Sequence, residues 1–368
     1  MPNLLLGMTP GDGLNVWKRI GYLNRELKPY IEYVRRGWKV KILTYGSSEI
    51  PELPDGIEAV HFPYPRLIWP LMFCLLPLFH WKLGHWADVI KTNQSHRSFF
   101  YALAAKLWKR PMLLRCGYVQ GEYLETTSGL TAKVKLYQRL EAKAFRQATH
   151  CEVPTRELAE WVQKKYGVPA EKISVVPNFV DIEIFKPIEG IEKKEKSVIA
   201  VGRLASVKQY EFLIRACAEI RGCSLTIVGE GPERKNLEKL ARELNVNLYL
   251  PGNIPNEHIP RVVQEHQVFA ITSKREGHPK SLLEAMACRM PCVGVKSVGI
   301  QNIIKHAENG WLVEAEVQSI KQGLSLILGN RALSEDLGRK AHRYATEAYS
   351  FSRCFDLEYE NIYRLVRS

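Results

Sequence analysis

The chain has 368 residues, 46% hydrophobic and 25% charged, a composition that excludes a disordered or low-complexity protein and predicts two folded domains. Its net charge of +13 calls for an anionic partner, and residues 1 to 150 carry most of it, with 21 Lys and Arg against 11 Asp and Glu. The eight cysteines, at 74, 116, 151, 217, 223, 288, 292 and 354, lack paired metal-ligand spacing, so buried thiols in a reducing cytosol are expected and no metal site.

The N-terminal run MPNLLLGMTPGDG lacks a basic leader and a small-residue cleavage site, so secretion is not expected and Asn3 to Met8 reads as a strand. Gly11, Asp12 and Gly13 follow it, as a ligand loop or a plain turn. Residues 18 to 41 carry eight Lys or Arg against Glu26 and Glu32, interleaved with Trp17, Tyr22, Tyr30, Tyr33 and Trp38, a mixture suited to an anionic bilayer surface. The apolar stretch Leu67 to Trp81 is too short to span a bilayer comfortably and contains Pro70 and Pro77; it reads as an interfacial wedge or as a kinked core helix.

Short apolar runs alternate with helix-like stretches throughout, the pattern of parallel sheets wrapped by helices. Strands are expected at 3–8, 39–44, 58–62, 88–92, 112–116 and 150–153, and again at 197–201, 224–228, 247–250, 268–272, 292–295 and 311–313. Between the two sets, Val176 to Lys196 breaks periodicity with two prolines, a glycine and a charge run. Domains are therefore expected at 1–180 and 197–345, with 181–196 as an interdomain linker. The terminal stretch 346–368 has aromatic residues near helical spacing and is expected to be a helix packing back on the N-terminal domain. His96, in TNQSHRS, follows a strand and either faces the cleft expected between the two units or is a surface or helix-capping residue.

Three segments of the second half carry chemistry. Gly202-Arg203-Leu204 ends a strand, and Lys208 precedes the next helix; two cations beside a helix N-terminus form either an anion site or a solvated basic loop. Gly229, in VGEGP, lies in a strand-to-helix turn where glycine admits a ligand or simply makes the turn. In TSKREGHPKSLLEAMACRMPCVGV, Pro279 suits a first helical position, which puts Glu276 at the helix mouth and Glu284 just over one turn inside. Acids so placed accept hydroxyl hydrogen bonds, or merely complement the helix dipole.

The ordered set GRL with Lys208, VGEGP, EGHPKSLLEAMACRMPCV and ENGWLV (Glu308 to Val313) closely resembles the retaining glycosyltransferases of family 4, over residues 196 to 345. The resemblance implies an α/β protein of the GT-B fold, two Rossmann-like parallel-sheet domains facing a central cleft. It implies that Arg203 and Lys208 neutralise a donor diphosphate, that Glu276 meets the transferred sugar and that Glu284 holds the ribose. Gly202, Gly229, His278, Pro279, Lys280 and Ser281 would line the donor pocket, with Gly11 and Gly13 approaching from the first domain.

The implied activity is transfer with retention from a UDP- or GDP-sugar to a lipid-linked, oligosaccharide, polysaccharide or glycolipid acceptor. Electrostatic stabilisation of the leaving diphosphate would drive it, with no cofactor or bound metal. The enzyme is expected in the cytoplasm, peripherally on the inner face of the cell membrane, with an anionic membrane surface as partner. Alternatives are a sugar-nucleotide epimerase of GT-B architecture and a catalytically silent sugar-nucleotide-binding module. Nucleic acid is not expected, because no recognised motif accompanies the charge.

Four positions depart from the family pattern. Gln209 and Arg289 stand where glycine is usual, and Asn302 stands where a Glu is common. Cys116 replaces a frequent His, leaving Asp12, Arg115, Cys116, Tyr118 and His96 as acceptor-side candidates.

Overall fold

A computed structural model describes residues 1–9, 11, 13–45, 50–62 and 75–367, which form two compact units. One comprises Met1–Pro177 with Phe355–Ser368, the other Asn178–Cys354.

The first unit contains β1 (Asn3–Gly7), α1 (Leu14–Arg19), α2 (Leu23–Arg35), β2 (Lys39–Thr44), β3 (Ile57–His61), α3 (Leu76–Phe79), α4 (Trp81–Trp86), β4 (Val89–Thr92) and α5 (Phe99–Trp108). It continues with β5 (Met112–Arg115), α6 (Gln120–Ser128), α7 (Ala132–Gln147), β6 (His150–Val153), α8 (Arg156–Tyr166) and β7 (Ile173–Val175). The strands form one parallel sheet in the order β3-β2-β1-β4-β5-β6-β7. Leu4, Leu5 and Leu6 are all buried, as expected of a strand covered on both faces. From β1 the chain builds outward in one direction and from β4 in the other, so right-handed crossovers put α1 and α2 on one face and α3 to α8 on the opposite face.

The last helix completes the first face. The Phe355 and Tyr359 rings lie 5.0 and 5.8 Å from that of Tyr33 in α2. From the same helix, Glu358 reaches into a buried ionic cluster: it accepts from Lys91 Nζ, from Arg115 Nε at 2.6 Å and from Tyr33 Oη at 3.2 Å. Asn361 donates to Glu152 at 2.9 Å. Lys91, Glu152 and Glu358 are all buried. Burial first, and then the Glu358 charge, push the Glu152 carboxyl up to about 7.

The second unit contains β8 (Ser197–Val201), α9 (Tyr210–Ala218), β9 (Ser224–Val228), α10 (Arg234–Glu243), β10 (Asn247–Gly252), α11 (Ile259–Gln264), β11 (Val268–Ile271), α12 (Lys280–Ala287), β12 (Cys292–Val295) and β13 (Trp311–Val313). After these come α13 (Val317–Gly329), α14 (Arg331–Tyr349) and α15 (Phe351–Arg367), the helix whose later turns belong to the first unit. Its sheet is also parallel, in the order β10-β9-β8-β11-β12-β13. Helix α12 is sequestered: Leu282, Leu283, Ala285, Met286 and Ala287 are fully buried.

Twelve strands stand where alternation predicts them. The three-residue β7 was not anticipated, being too short for a pattern to declare itself. Two other expectations need correction. Residues 181–196 are not a free linker but part of the second unit, where Phe185 joins the core and Lys194 N donates to Glu265 O at 2.8 Å. The aromatic residues offered to a bilayer from the 18–41 region are largely core: Trp17, Tyr30, Tyr33 and Trp38 are buried. Of Leu67 to Trp81, residues 67–74 lie outside the described residues, while Leu78, Phe79 and Trp81 are exposed. Among the described residues no helix is long and apolar enough to cross a membrane.

Candidate active site

In the second unit the crossovers leave β8 and β11 in opposite directions, although the two strands are neighbours. The loops at their carboxyl ends therefore flank a gap that no crossover helix fills, the usual ligand position in an open parallel sheet. The loop Gly202–Gln209 follows β8 and the loop Thr272–Pro279 follows β11. They are joined by Lys274 N to Val207 O at 2.9 Å and by Thr272 Oγ1 to Lys208 O at 2.8 Å. Across this junction Lys208 Nζ donates to Glu276 Oε1 at 2.6 Å. Arg203 is exposed, and its guanidinium has no hydrogen-bond or ion-pair partner among the described residues. One cation is thus held in place and a second is available.

Two glycines set this geometry. A Cβ on Gly229 would lie 2.2 Å from Gly202 O, so the loop after β9 packs directly on the loop after β8. In this structure Gly229 serves that backbone approach. Gly299, at φ +88°, lies against Glu276: a Cβ there would be 2.4 Å from Glu276 O, and Glu276 N donates to Val298 O at 2.9 Å. The stretch SVGIQN at 297–302, whose Asn302 stands where a Glu is common, thus supplies the glycine that supports Glu276.

Pro279 is the N-cap of α12 rather than its first residue, and no side chain caps that end. The backbone N–H groups of Lys280 and Ser281 open the helix there. His278 is buried, edge-on to Tyr349 at 5.0 Å between ring centroids, and its carbonyl accepts from Asn178 Nδ2 at 2.8 Å. Glu284 is buried within α12, with Asn256 Nδ2 at 3.5 Å from Oε1. Asn178 and Asn256 escaped sequence reasoning, since neither stands in the four motifs, although Asn178 sits in the Pro-Asn-Phe stretch that broke periodicity.

The first unit repeats the arrangement at β1 and β4. Thr9 donates to Asn93 Oδ1 through N at 2.9 Å and through Oγ1 at 3.0 Å, joining the loops after those strands. Gly11 has φ +91°, and Gly13 N-caps α1. Asp12 lies outside the described residues. The loops after β4 and β5 are joined in turn, by Gly117 N to Gln94 Oε1 at 3.2 Å and by Gln120 N to Ser95 Oγ at 3.0 Å. Beneath them Glu141 is buried, accepting from Gly121 N at 2.8 Å and from Tyr166 Oη at 2.5 Å. Burial raises its pKa.

Among the acceptor-side candidates, Arg115 must be withdrawn, because its guanidinium is engaged by Glu358 and Glu152 on the α2 face of the sheet. Cys116 does not supply the polar group of a missing His: it is buried, its thiol is pushed well up by burial, and it points to Glu152 O at 3.8 Å. His96 stacks on Tyr137 with Nδ1 3.1 Å from the hydroxyl, and burial, aided by Arg97, pushes it down to about 4. It is a neutral imidazole at pH 7. Tyr118 is exposed.

The model described as Glycosyl transferases group 1 matches residues 181–344, and that described as Glycosyltransferase Family 4 matches residues 31–184. The N-acetyl-alpha-D-glucosaminyl L-malate synthase of Bacillus anthracis is 26% identical over 53% of this chain and 54% of its own length, so the chain spans about half of that relative. The UDP-Gal:alpha-D-GlcNAc-diphosphoundecaprenol alpha-1,3-galactosyltransferase of Escherichia coli is 27% identical over 67% of this chain and 68% of its own. Among solved structures, Anabaena HepE in complex with UDP and glucose superimposes with a TM-score of 0.77 at 18% identity, covering 98% of this chain and 99% of that one. That likeness gives the two Rossmann-like units the GT-B fold.

Proposed function

Because the chain belongs to the family 4 glycosyltransferases, we propose that it transfers a sugar, with retention at the anomeric carbon, from a UDP- or GDP-sugar to a lipid-linked, polysaccharide or glycolipid acceptor. The carrying observation is the Lys208–Glu276 pair at the β8/β11 gap, with Arg203 exposed in the same loop as Lys208. In this reading the bond between the anomeric carbon and the diphosphate oxygen breaks, and Arg203 and Lys208 take up the charge that develops on the leaving group. Glu276 orders the sugar hydroxyls, and Glu284, fixed within α12, accepts from the ribose. The acceptor hydroxyl oxygen bonds the anomeric carbon on the same face, and its proton passes to the departing diphosphate oxygen. The names of the E. coli relative and of the HepE complex, which pair UDP or a UDP-sugar with a lipid diphosphate or with glucose, support this donor and acceptor class. A lipid-linked acceptor puts the enzyme at the cytoplasmic membrane face, and the charge of the first unit suits that place.

A thermal-shift panel of UDP- and GDP-sugars tests the donor, with Glu284→Ala as the variant that loses the shift. If no nucleotide sugar raises the melting temperature of the wild type, the reading fails. Transfer is expected to persist in EDTA. Interconversion of the donor sugar without an acceptor would replace transfer by epimerisation.

A further inference from the structure

We propose that the second unit carries a binding site for a small organic anion at the end of its sheet opposite the candidate active site, distinct from the donor site of the reading above.

The site is a cavity of about 830 Å³, within the roughly 300–1,000 Å³ of small-molecule pockets. Gln267 and Pro291, which line it, immediately precede β11 and β12, so it lies at the amino ends of the strands. Lys208 and Glu276, by contrast, follow the carboxyl ends of β8 and β11. One wall is the stretch 187–193, pinned on both sides: Ile188 N donates to Gln264 Oε1 at 2.8 Å and Lys194 N to Glu265 O at 2.8 Å. The ends of α12 and α13 and the first turn of α14 supply the rest. There α14 packs so closely that a Cβ on Gly338 would lie 2.5 Å from Arg289 O, and His342 Nδ1 lies 2.6 Å from Ala287 O.

The lining has an apolar side, with Ile188, Ile191 and Leu328, and a charged one. Arg331 and Glu335 satisfy each other at 2.8 Å. Lys193 and Arg289 have no hydrogen-bond or ion-pair partner among the described residues. The lining sets only one further acid, Glu189, against them, so one positive charge stays uncompensated. Desolvation lowers the Lys193 pKa from its ordinary value; Glu335 opposes this, and the Arg289 charge adds to it. Arg289 also stands there at a backbone cost, since its φ of +61° lies in the left-handed region that favours glycine. A strained position that lines a cavity and carries an unpaired guanidinium marks a binding group.

Two cations beside an apolar wall select the ligand. The guanidinium fork and the ammonium suit a phosphate or carboxylate head. An inorganic ion would leave most of the volume and both isoleucines uncovered, so the head belongs to a molecule with an apolar body.

Calorimetric titration of the full chain with phenyl phosphate and with benzoate, in the absence of any nucleotide sugar, tests the site and separates the two head groups. At least one is expected to bind, and inorganic phosphate to bind about tenfold or more weakly than that probe. Lys193→Ala and Arg289→Gly should each weaken binding by about tenfold or more. Neither removes a partner of another side chain, and matching thermal unfolding shows that the fold is kept. Arg203→Gln/Lys208→Gln, which removes two cations at the candidate active site, should bind the probe like the wild type. A nucleotide sugar that fails to bind leaves these outcomes untouched. Binding of neither probe, equal affinity for inorganic phosphate, undiminished binding in Lys193→Ala or Arg289→Gly, or loss of binding in the Arg203/Lys208 variant overturns the proposal.

Discussion

Lys208 Nζ and Glu276 Oε1 stand 2.6 Å apart although 68 positions separate the residues. Neither is sealed away: the side chains retain 21% and 13% of their exposure. In the proposed reading, the pair presents a carboxylate and an ammonium to the junction of the diphosphate and the hydroxylated ring of a nucleotide sugar. Replacing Glu276 by Ala is expected to lower kcat by about 100- to 1,000-fold, the scale of losing one preorganised polar contact at a reacting centre. Nucleotide affinity should remain in Glu276→Ala and fall in Lys208→Ala, as read by calorimetric titration. A Glu276→Ala enzyme with an unchanged rate removes this residue from the chemistry.

Gly299→Ala tests the support behind Glu276. The added methyl would lie 2.4 Å from Glu276 O on a backbone at φ +88°, so the Glu276 loop must shift or the alanine must adopt a strained conformation. A misplacement near 1 Å costs about 100-fold in rate. We expect a drop of that order in kcat with the far-ultraviolet circular dichroism spectrum intact.

Two departures from the family pattern occupy left-handed backbone. Gln209 has φ +50° at the start of α9, and Arg289 has φ +61° just after α12. At the second, Arg289 N donates to Met286 O and Met290 N to Ala285 O, the paired bonds of a Schellman turn, in which glycine is the favoured occupant. Arg289→Gly should therefore raise stability, by about 0.5–1 kcal/mol once the entropy of glycine offsets part of the relieved strain. Urea denaturation measures it. Lower stability in the glycine variant contradicts the assignment of strain.

The cluster under the last helix gives a pH dependence. The folded-state pKa of Glu152 is raised to about 7 by burial and the Glu358 charge, so the folded protein holds a proton that the unfolded chain releases. This contribution to stability is present below the ordinary carboxylate range and is lost as pH rises through about 7. Glu152→Gln fixes the neutral form. Its stability relative to the wild type should therefore increase between pH 5 and pH 8, and an unchanged difference refutes the shift.

Glu358→Ala should be far more damaging, because it leaves Lys91 and Arg115 buried without their shared carboxylate; about 3–5 kcal/mol is expected for the first unit. Lys91→Met/Glu358→Met, which removes a charge of each sign, should cost less than Glu358→Ala. The unfolding transition of the first unit, followed in guanidinium, distinguishes the two.

By itself the sequence determined the alternation that makes two parallel sheets, because a strand buried on both faces must be a short apolar run and a crossover helix must be amphipathic. It also singled out Arg203, Lys208 and Glu276 in loops at strand ends and Glu284 in α12, the residues proposed to hold the donor, since their motifs lie in contiguous residues. What it could not reach were relationships between segments far apart in the chain. Arg115 looked like a site residue because it adjoins Cys116, where the family frequently has a His, yet the face it points to is decided by Glu358, 243 positions away. The aromatics of 18–41 looked like membrane anchors, yet the last helix packs on Tyr33 and Trp38 and buries them. Which side of a helix meets the sheet depends on the direction of the crossover and on what packs beside it, and only the tertiary structure fixes both.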